Sequence, residues 1–239
     1  MVTAPSARRS DNLLLIAARE PVPGSTKTRL GRAIGMEAAA TLYRAFLSDL
    51  AARFTPPALA IEPLYDLGWA YTPSACDFAR VLAGLESGPP SDPGIHLVPQ
   101  QGSDWGARQA NLLRWGRDAG YQRTVLTASD SPQMSLDVVL DAFRELERHE
   151  VVLGRVADGG YYLIGVSGPY DVLESVPMST ASAAAGVLQR TAALGLRAAE
   201  VAATFDIDEA EDLEHLRRFC VRSTDEVPAT AAAIRKLGR

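Results

Sequence analysis

The segment Leu13-Leu-Leu-Ile-Ala-Ala18 constrains the fold more than any other. Six apolar residues in a row leave a strand no polar face to turn toward water. Such a strand is buried on both sides, the condition met in a parallel sheet covered by helices above and below. The run is far short of the roughly 18 residues that a membrane span needs, and too short for a signal-peptide core. A Pro/Gly loop follows, Glu20-Pro-Val-Pro-Gly24. Beyond it Met36, Ala39, Ala40, Tyr43, Phe46, Leu47 and Leu50 recur at three- and four-residue spacing, the stripe of an amphipathic helix.

The rest of the chain repeats this alternation. Strands are expected over residues 58–64, 95–99, 124–128, 151–156, 161–166 and 201–207. Helices are expected over 74–86, from an Asp104 cap to 119, from a Ser135 cap to 147, and over 180–194 and 209–220, with a short terminal helix over 229–237. Residues 88–94, rich in Pro and Gly, read as a surface loop. The alternation predicts an α/β fold with a mostly parallel sheet. The strand at Tyr161 follows its predecessor too closely for a helical crossover, so it is expected to run antiparallel and make the sheet mixed. No long linker divides the chain. Residues 1–11 are expected to be a disordered tail, 12–221 a single domain and 222–239 a C-terminal extension.

Composition narrows the function classes. The chain has 239 residues and a net charge of −5, which argues against nucleic acid or an anionic membrane as the partner. Two cysteines, Cys76 and Cys220, exclude a disulfide scaffold and a cysteine-rich zinc site, so a reducing cytoplasm is the expected compartment. Lys27 and Lys236 are the only lysines among 24 basic residues, which singles out Lys27. His96, His149 and His215 fit no ligand spacing.

In an open α/β sheet, ligands bind beyond the carboxyl ends of the strands, and four loops lie there. The first, Arg19 to Arg29, has three cations, three hydroxyls and Gly24, which lets backbone amides approach a ligand. Lys27 and Arg29 suit phosphate oxygens, but composition alone equally allows a solvated loop. The second holds Asp130, placed either to bind a divalent metal or to start a turn before Pro132. The third, Ala157-Asp-Gly-Gly160, suits close approach of a sugar or nucleotide and suits a tight turn as well. The fourth, Phe205-Asp-Ile-Asp208, sets two acids on one face of a strand. They could share a metal with Asp130, while Asp208 could also cap the next helix. Trp105 is expected to pack rather than stack on a base.

These elements, in this order, resemble the nucleotide-diphospho-sugar transferase superfamily with the GT-A fold. Within it they resemble a bacterial branch of glycosyltransferases, some associated with arsenosugar synthesis. The loop P-x-P-G-x-x-K-T-R-L is matched by Pro21 through Leu30. The element Q-G-x-x-D-L-G-x-R is matched, one residue shorter, by Gln101 through Arg108. G-x-D-x-P is matched by Ala128 through Pro132, with Ala for Gly. The element ending D-G-G-Y-Y-L-I-G is matched by Gly154 through Gly165, with Arg155 where the branch has Pro. D-V-D-x-x-x-D-L is matched by Asp206 through Leu213.

The resemblance implies a Rossmann-like three-layer sandwich. It implies a divalent metal, Mg or Mn, at Asp130 with Asp206 or Asp208. Nucleotide or phosphate contacts would come from Gly24, Lys27, Thr28 and Arg29, with Arg108 as a further phosphate contact. Asp158 would be the general base, beside Gly159 and Gly160 on the acceptor side. The partners would be a nucleotide sugar or nucleoside triphosphate and a small acceptor, with a homodimer left open. Glycosyl transfer is the first reading, nucleotidyl transfer of the guanylyltransferase kind the second, and non-catalytic nucleotide binding the third.

Overall fold

The computed structural model describes residues 8–57, 62–87 and 94–237. Seven strands form one sheet in the order β3-β2-β1-β4-β6-β5-β7. They are β1 (Asn12–Arg19), β2 (Asp66–Thr72), β3 (His96–Pro99), β4 (Arg123–Ala128), β5 (Val151–Val156), β6 (Tyr161–Val166) and β7 (Ala198–Thr204). Only β6 runs against the others, antiparallel to both β4 and β5, as the short connection before Tyr161 requires. The fold is the mixed, mostly parallel α/β sheet expected.

The double burial of β1 organises the layers. Leu14, Ile16 and Ala18 face one core, and Leu13, Leu15 and Ala17 the other. The first core is covered by α1 (Thr28–Ile34), α2 (Met36–Phe54), α3 (Phe78–Ala83), α5 (Leu136–Glu145), α7 (Asp212–Arg222) and α8 (Pro228–Leu237). The second is covered by α4 (Trp105–Asp118) and α6 (Ala183–Ala193). Asp104 and Ser135 cap α4 and α5 through the backbone N–H groups of Ala107 and Val138. No helix of the described residues is long and apolar enough to cross a membrane.

Several expectations are corrected. The strand expected over 58–64 lies at Asp66–Thr72, and residues 58–61 are outside the described ones. Its first residue is a buried carboxylate and its third a glycine, so the apolar signal is weak where the strand begins. The strand expected over 201–207 ends at Thr204, which puts Asp206 and Asp208 in the following loop. An edge strand built of Ala and half exposed has too little apolar contrast to mark its limits. The next helix starts at Asp212, not at 209, and Asp208 does not cap it. Instead Asp212 Oδ2 accepts from the N–H groups of Asp208 and Glu209, both at 2.8 Å. The short α1 was not anticipated.

Both ends of the chain are also tied in. Residues 1–7 of the expected tail lie outside the described residues, but Arg9 and Ser10 donate backbone N–H groups to Asp66. The expected C-terminal extension ends in α8, which packs on α2 with Ala229, Ala231, Ala233 and Ile234 buried. Its first turn is capped from α2, where buried Asp49 accepts from the N–H groups of Ala229 and Thr230. Most of the Pro/Gly loop at 88–94 lies outside the described residues.

Candidate active site

Beyond the carboxyl ends of the parallel strands lies a cavity of about 800 Å³. That volume suits a ligand of nucleotide size. Lys27, Thr28, Arg29, Arg108, Asp130, Asp158, Gly160, Asp206 and Asp208 all line it. Residues separated by up to 181 positions are therefore brought to one place, and the reason is local stitching. The loop after β4 is tied to the loop after β7 by Ile207 N–H donating to Asp130 O at 3.0 Å and Ser131 Oγ donating to Phe205 O at 2.9 Å. Buried Ile207 anchors the second loop from below, leaving the acids on either side of it to line the cavity.

Lys27 is the centre of the arrangement. It precedes α1 with φ of +50°, the left-handed region, which an ordinary residue adopts only when its surroundings hold it there. Its side chain is 4% exposed, and its ammonium pairs with Asp130 and, at 2.8 Å, with Asp208. Burial alone would lower its pKa, but the two carboxylates outweigh burial and raise it, so the ammonium stays charged. The Tyr43 ring lies 5.8 Å from Nζ. The Tyr43 hydroxyl accepts from Arg19 N–H at 3.0 Å and bonds Ser129 Oγ at 2.6 Å, which joins α2 to the ends of β1 and β4.

The acids outnumber the cation at their centre. Asp206 is held at a pKa of about 6, first by burial and then by the charges of Asp208, Asp158 and Asp130. Arg29 reaches outward to Glu209 at 3.4 Å, and Arg108 Nε donates to Gly102 O. Asp158 accepts from Gly160 N–H at 2.8 Å, the bond of a tight turn.

Two expected residues stay out of the wall. Gly24 has φ of +76° and shapes the turn before Lys27 without lining the cavity. Gly159 has φ of +90°, and a Cβ there would meet Ala181 O at 1.9 Å. It is glycine because the chain before α6 packs against it, and its carbonyl accepts from Ala184 N–H.

Other wall residues were not singled out by sequence. Sequence marks Tyr43 only as core, Gln100, Met178 and Ser179 not at all, and Thr180 and Ala181 only as the start of a helix that in fact begins at Ala183. A polar atom on an otherwise buried residue, as in Tyr43, was the one available signal, because such an atom needs a partner. Trp105 lines the cavity and also a second one of about 720 Å³ that runs along α4. Among the described residues, no three of His, Cys, Asp and Glu come close enough to hold a metal by themselves.

Comparison with known proteins agrees with this architecture. Residues 74–180 match the family described as "Uncharacterized protein conserved in bacteria (DUF2064)". No curated protein matches the chain. Among solved structures, a provisionally assigned nucleotide-diphospho-sugar transferase of Desulfovibrio desulfuricans G20 is 29% identical. It covers 95% of each chain with a TM-score of 0.82. A nucleotidyl transferase from Methanothermobacter is 17% identical, covers 89% of this chain and 98% of its own, and has a TM-score of 0.57. A 4-diphosphocytidyl-2C-methyl-D-erythritol synthase from Anaerococcus prevotii is 11% identical, covers 88% and 98%, and has a TM-score of 0.53. The last two show the shared fold. The chain thus has the nucleotide-diphospho-sugar transferase fold and, through its middle, matches the DUF2064 family.

Proposed function

We propose that this cavity is the active site of a metal-dependent transferase acting on a nucleotide-activated substrate, with a nucleotide-diphospho-sugar as the donor. The observation that carries this reading is Lys27, a buried, charged ammonium gripped by two carboxylates of 36% and 45% exposure in the loops after β4 and β7. A cation held in this way marks where negative charge on a ligand would be met. The description of the Desulfovibrio protein supports the donor class.

The residues fit a magnesium-type ion. Such an ion takes one or two protein carboxylates and completes its shell with water and substrate phosphates, so a three-ligand protein cage is not required. Asp130 and Asp208 already converge on one cation, the ammonium of Lys27, and Asp206 stands beside them. When bound, the metal would neutralise charge on the diphosphate. Lys27, released from its carboxylates, and Arg29 would hold phosphate oxygens, with Arg108 as a further phosphate contact. Charge developing on the leaving diphosphate is thereby stabilised by groups already in position. Asp158 orients the acceptor hydroxyl and takes its proton.

The bond from Gly160 N–H to Asp158 favours a second reading, nucleotidyl transfer. There an acceptor phosphate attacks the α-phosphorus of a triphosphate, the α–β bridging P–O bond breaks and pyrophosphate leaves, and no protein base is needed. Thermal stabilisation separates the two readings. Nucleotide sugars with Mg²⁺ or Mn²⁺ are expected to raise the Tm, and the metal or the nucleotide sugar alone much less. Stabilisation by nucleoside triphosphates and not by nucleotide sugars would select the second reading. No stabilisation by either class would leave the cavity without a nucleotide role.

A further inference from the structure

Gln100 follows β3 at the rim where β1 and β2 end, and it is 8% exposed. Its backbone N–H donates to Tyr71 O at 2.8 Å, which continues the pairing of β3 with β2 by one residue. The side-chain amide is then spent in one direction. Nε2 donates to Ala70 O at 2.8 Å and to Ala18 O at 3.3 Å, the carbonyls of two neighbouring strands. Both of its N–H groups are used there. Turning the amide over would set Oε1 against two carbonyl oxygens, so its orientation is locked. Oε1 has no hydrogen-bond partner among the described residues, and the residue lines the large cavity. The site therefore presents a fixed acceptor that cannot become a donor.

The cavity is divided by charge along the sheet. Asp130, Asp158, Asp206 and Asp208 lie on the side of β4, β6 and β5, with Lys27 at the middle. Thr72 and Gln100, at the ends of β2 and β3, lie on the other side with Arg19 at the end of β1, and these positions hold no carboxylate. A nucleotide whose phosphates meet Lys27 has two directions for its base. The acidic side, with its four aspartates, suits a metal and a hydroxyl-bearing substrate. The other side offers an aliphatic floor at Ala17 and Ala18 and the Gln100 oxygen.

We infer that Gln100 is a specificity-determining residue that accepts a hydrogen bond from an exocyclic amino group of the nucleotide base, so that the site takes an amino-bearing base over its oxo or unsubstituted counterpart. This rests on the reading of the cavity as a nucleotide site. With the phosphates pinned at Lys27, the edge of the base reaches the Gln100 oxygen in one register. Cytosine places an N–H at that point, whereas uracil places a carbonyl oxygen against a carbonyl oxygen. Guanine and hypoxanthine differ in the same way by the presence or absence of the 2-amino group. A buried acceptor that meets another acceptor forfeits its hydrogen bond and keeps its desolvation cost.

The test is isothermal titration of the full-length protein with Mg²⁺ and five probes: CDP, UDP, GDP, ADP and IDP. At least one amino-bearing member of the pairs CDP/UDP, GDP/IDP and ADP/IDP is expected to bind about tenfold tighter than its counterpart. Gln100→Met keeps the length of the side chain and removes its acceptor, and it should bring the preferred ligand down to the level of its counterpart. A thermal melt establishes that the variant is folded. Equal binding within all three pairs, or a preference that survives in Gln100→Met, overturns the inference and leaves the nucleotide site standing. Failure of all five to bind overturns the nucleotide reading, and the inference with it.

Discussion

The two ends of the central strands each hold a buried charge, and they treat it in opposite ways. At the amino end of β2, Asp66 is fully buried. Its Oδ2 accepts from Arg9 N–H, Ser10 N–H and the Tyr121 hydroxyl, at 2.9, 3.3 and 2.9 Å. Arg9 Nε lies 3.5 Å from the other oxygen, and His96 bonds the Tyr121 hydroxyl from behind at 2.7 Å. At the carboxyl end, Lys27 is nearly as buried, but its partners Asp130 and Asp208 are open to the cavity, and Asp206 beside them is pushed up to about 6 by burial and like charges. The Asp66 cluster is closed: three donors converge on one carboxylate oxygen, and none of its residues lines either cavity described above. The Lys27 cluster is open, and its excess of acids is tolerable only with a cation nearby. The same kind of buried ion thus closes one end of the sheet and, in the function proposed, equips the other for binding.

The largest expected effect falls on the closed end. Asp66→Ala removes the buried acceptor of the Tyr121 hydroxyl and of two backbone N–H groups. It should cost about 3–5 kcal/mol of unfolding free energy by urea denaturation. Nucleotide affinity of the molecules that remain folded should not change. A loss below about 1 kcal/mol would show that water or neighbouring groups readily replace the carboxylate.

The open end should respond in the other coordinate. Lys27→Ala and Arg29→Ala should each weaken binding of a nucleoside diphosphate by about 1.5–3 kcal/mol, with little change for the parent nucleoside. Lys27→Ala keeps a Cβ at the same positive φ and leaves behind carboxylates that are open to the cavity, so its stability should change much less than that of Asp66→Ala. Equal losses for nucleoside and diphosphate would place the base, and not the phosphates, at this loop.

How much of this was legible in sequence follows from the same contrast. β5 and β6 were found with their observed limits because they are apolar on both faces between turn residues. β2 was misplaced because it begins with the acid that closes the lower cluster, and an acid reads as loop until its donors are known. Those donors come from Arg9, Ser10 and Tyr121, up to 57 residues away, and no local pattern announces them. At the site, Lys27 and the four aspartates were legible because charged residues at strand ends are few and their loops are distinctive. Gln100 and Tyr43 were not, because an amide or a phenol acquires its role only from which of its atoms are already bonded. The cap expected of Asp208 failed for a similar reason, since its carboxylate is taken by Lys27, 181 residues away, while Asp212 accepts from the Asp208 and Glu209 N–H groups.

A smaller effect should distinguish the ends by pH. Burial holds the His96 imidazole below its usual range, with the Asp66 charge opposing and Arg9 assisting. The unfolded chain takes up a proton at about pH 6.5 that folded His96 takes up only at lower pH. Stability from this group is therefore complete above that pH and falls as the pH drops through it, by at most about 1.4 kcal/mol per pH unit. His96→Gln should flatten this part of the urea-derived stability profile. An unchanged slope would assign the acid sensitivity to other groups.

The central claim is that the open cluster is built to hold a cation with a phosphate-bearing ligand and not to hold the fold together. Its most direct test measures two quantities on Asp130→Ala: the Tm and the affinity for a nucleoside diphosphate with and without Mg²⁺. The account predicts a Tm within a few degrees of the parent protein and loss of the metal-dependent part of binding. A variant that binds the nucleotide with undiminished dependence on Mg²⁺, or one that unfolds as Asp66→Ala is expected to, would contradict it.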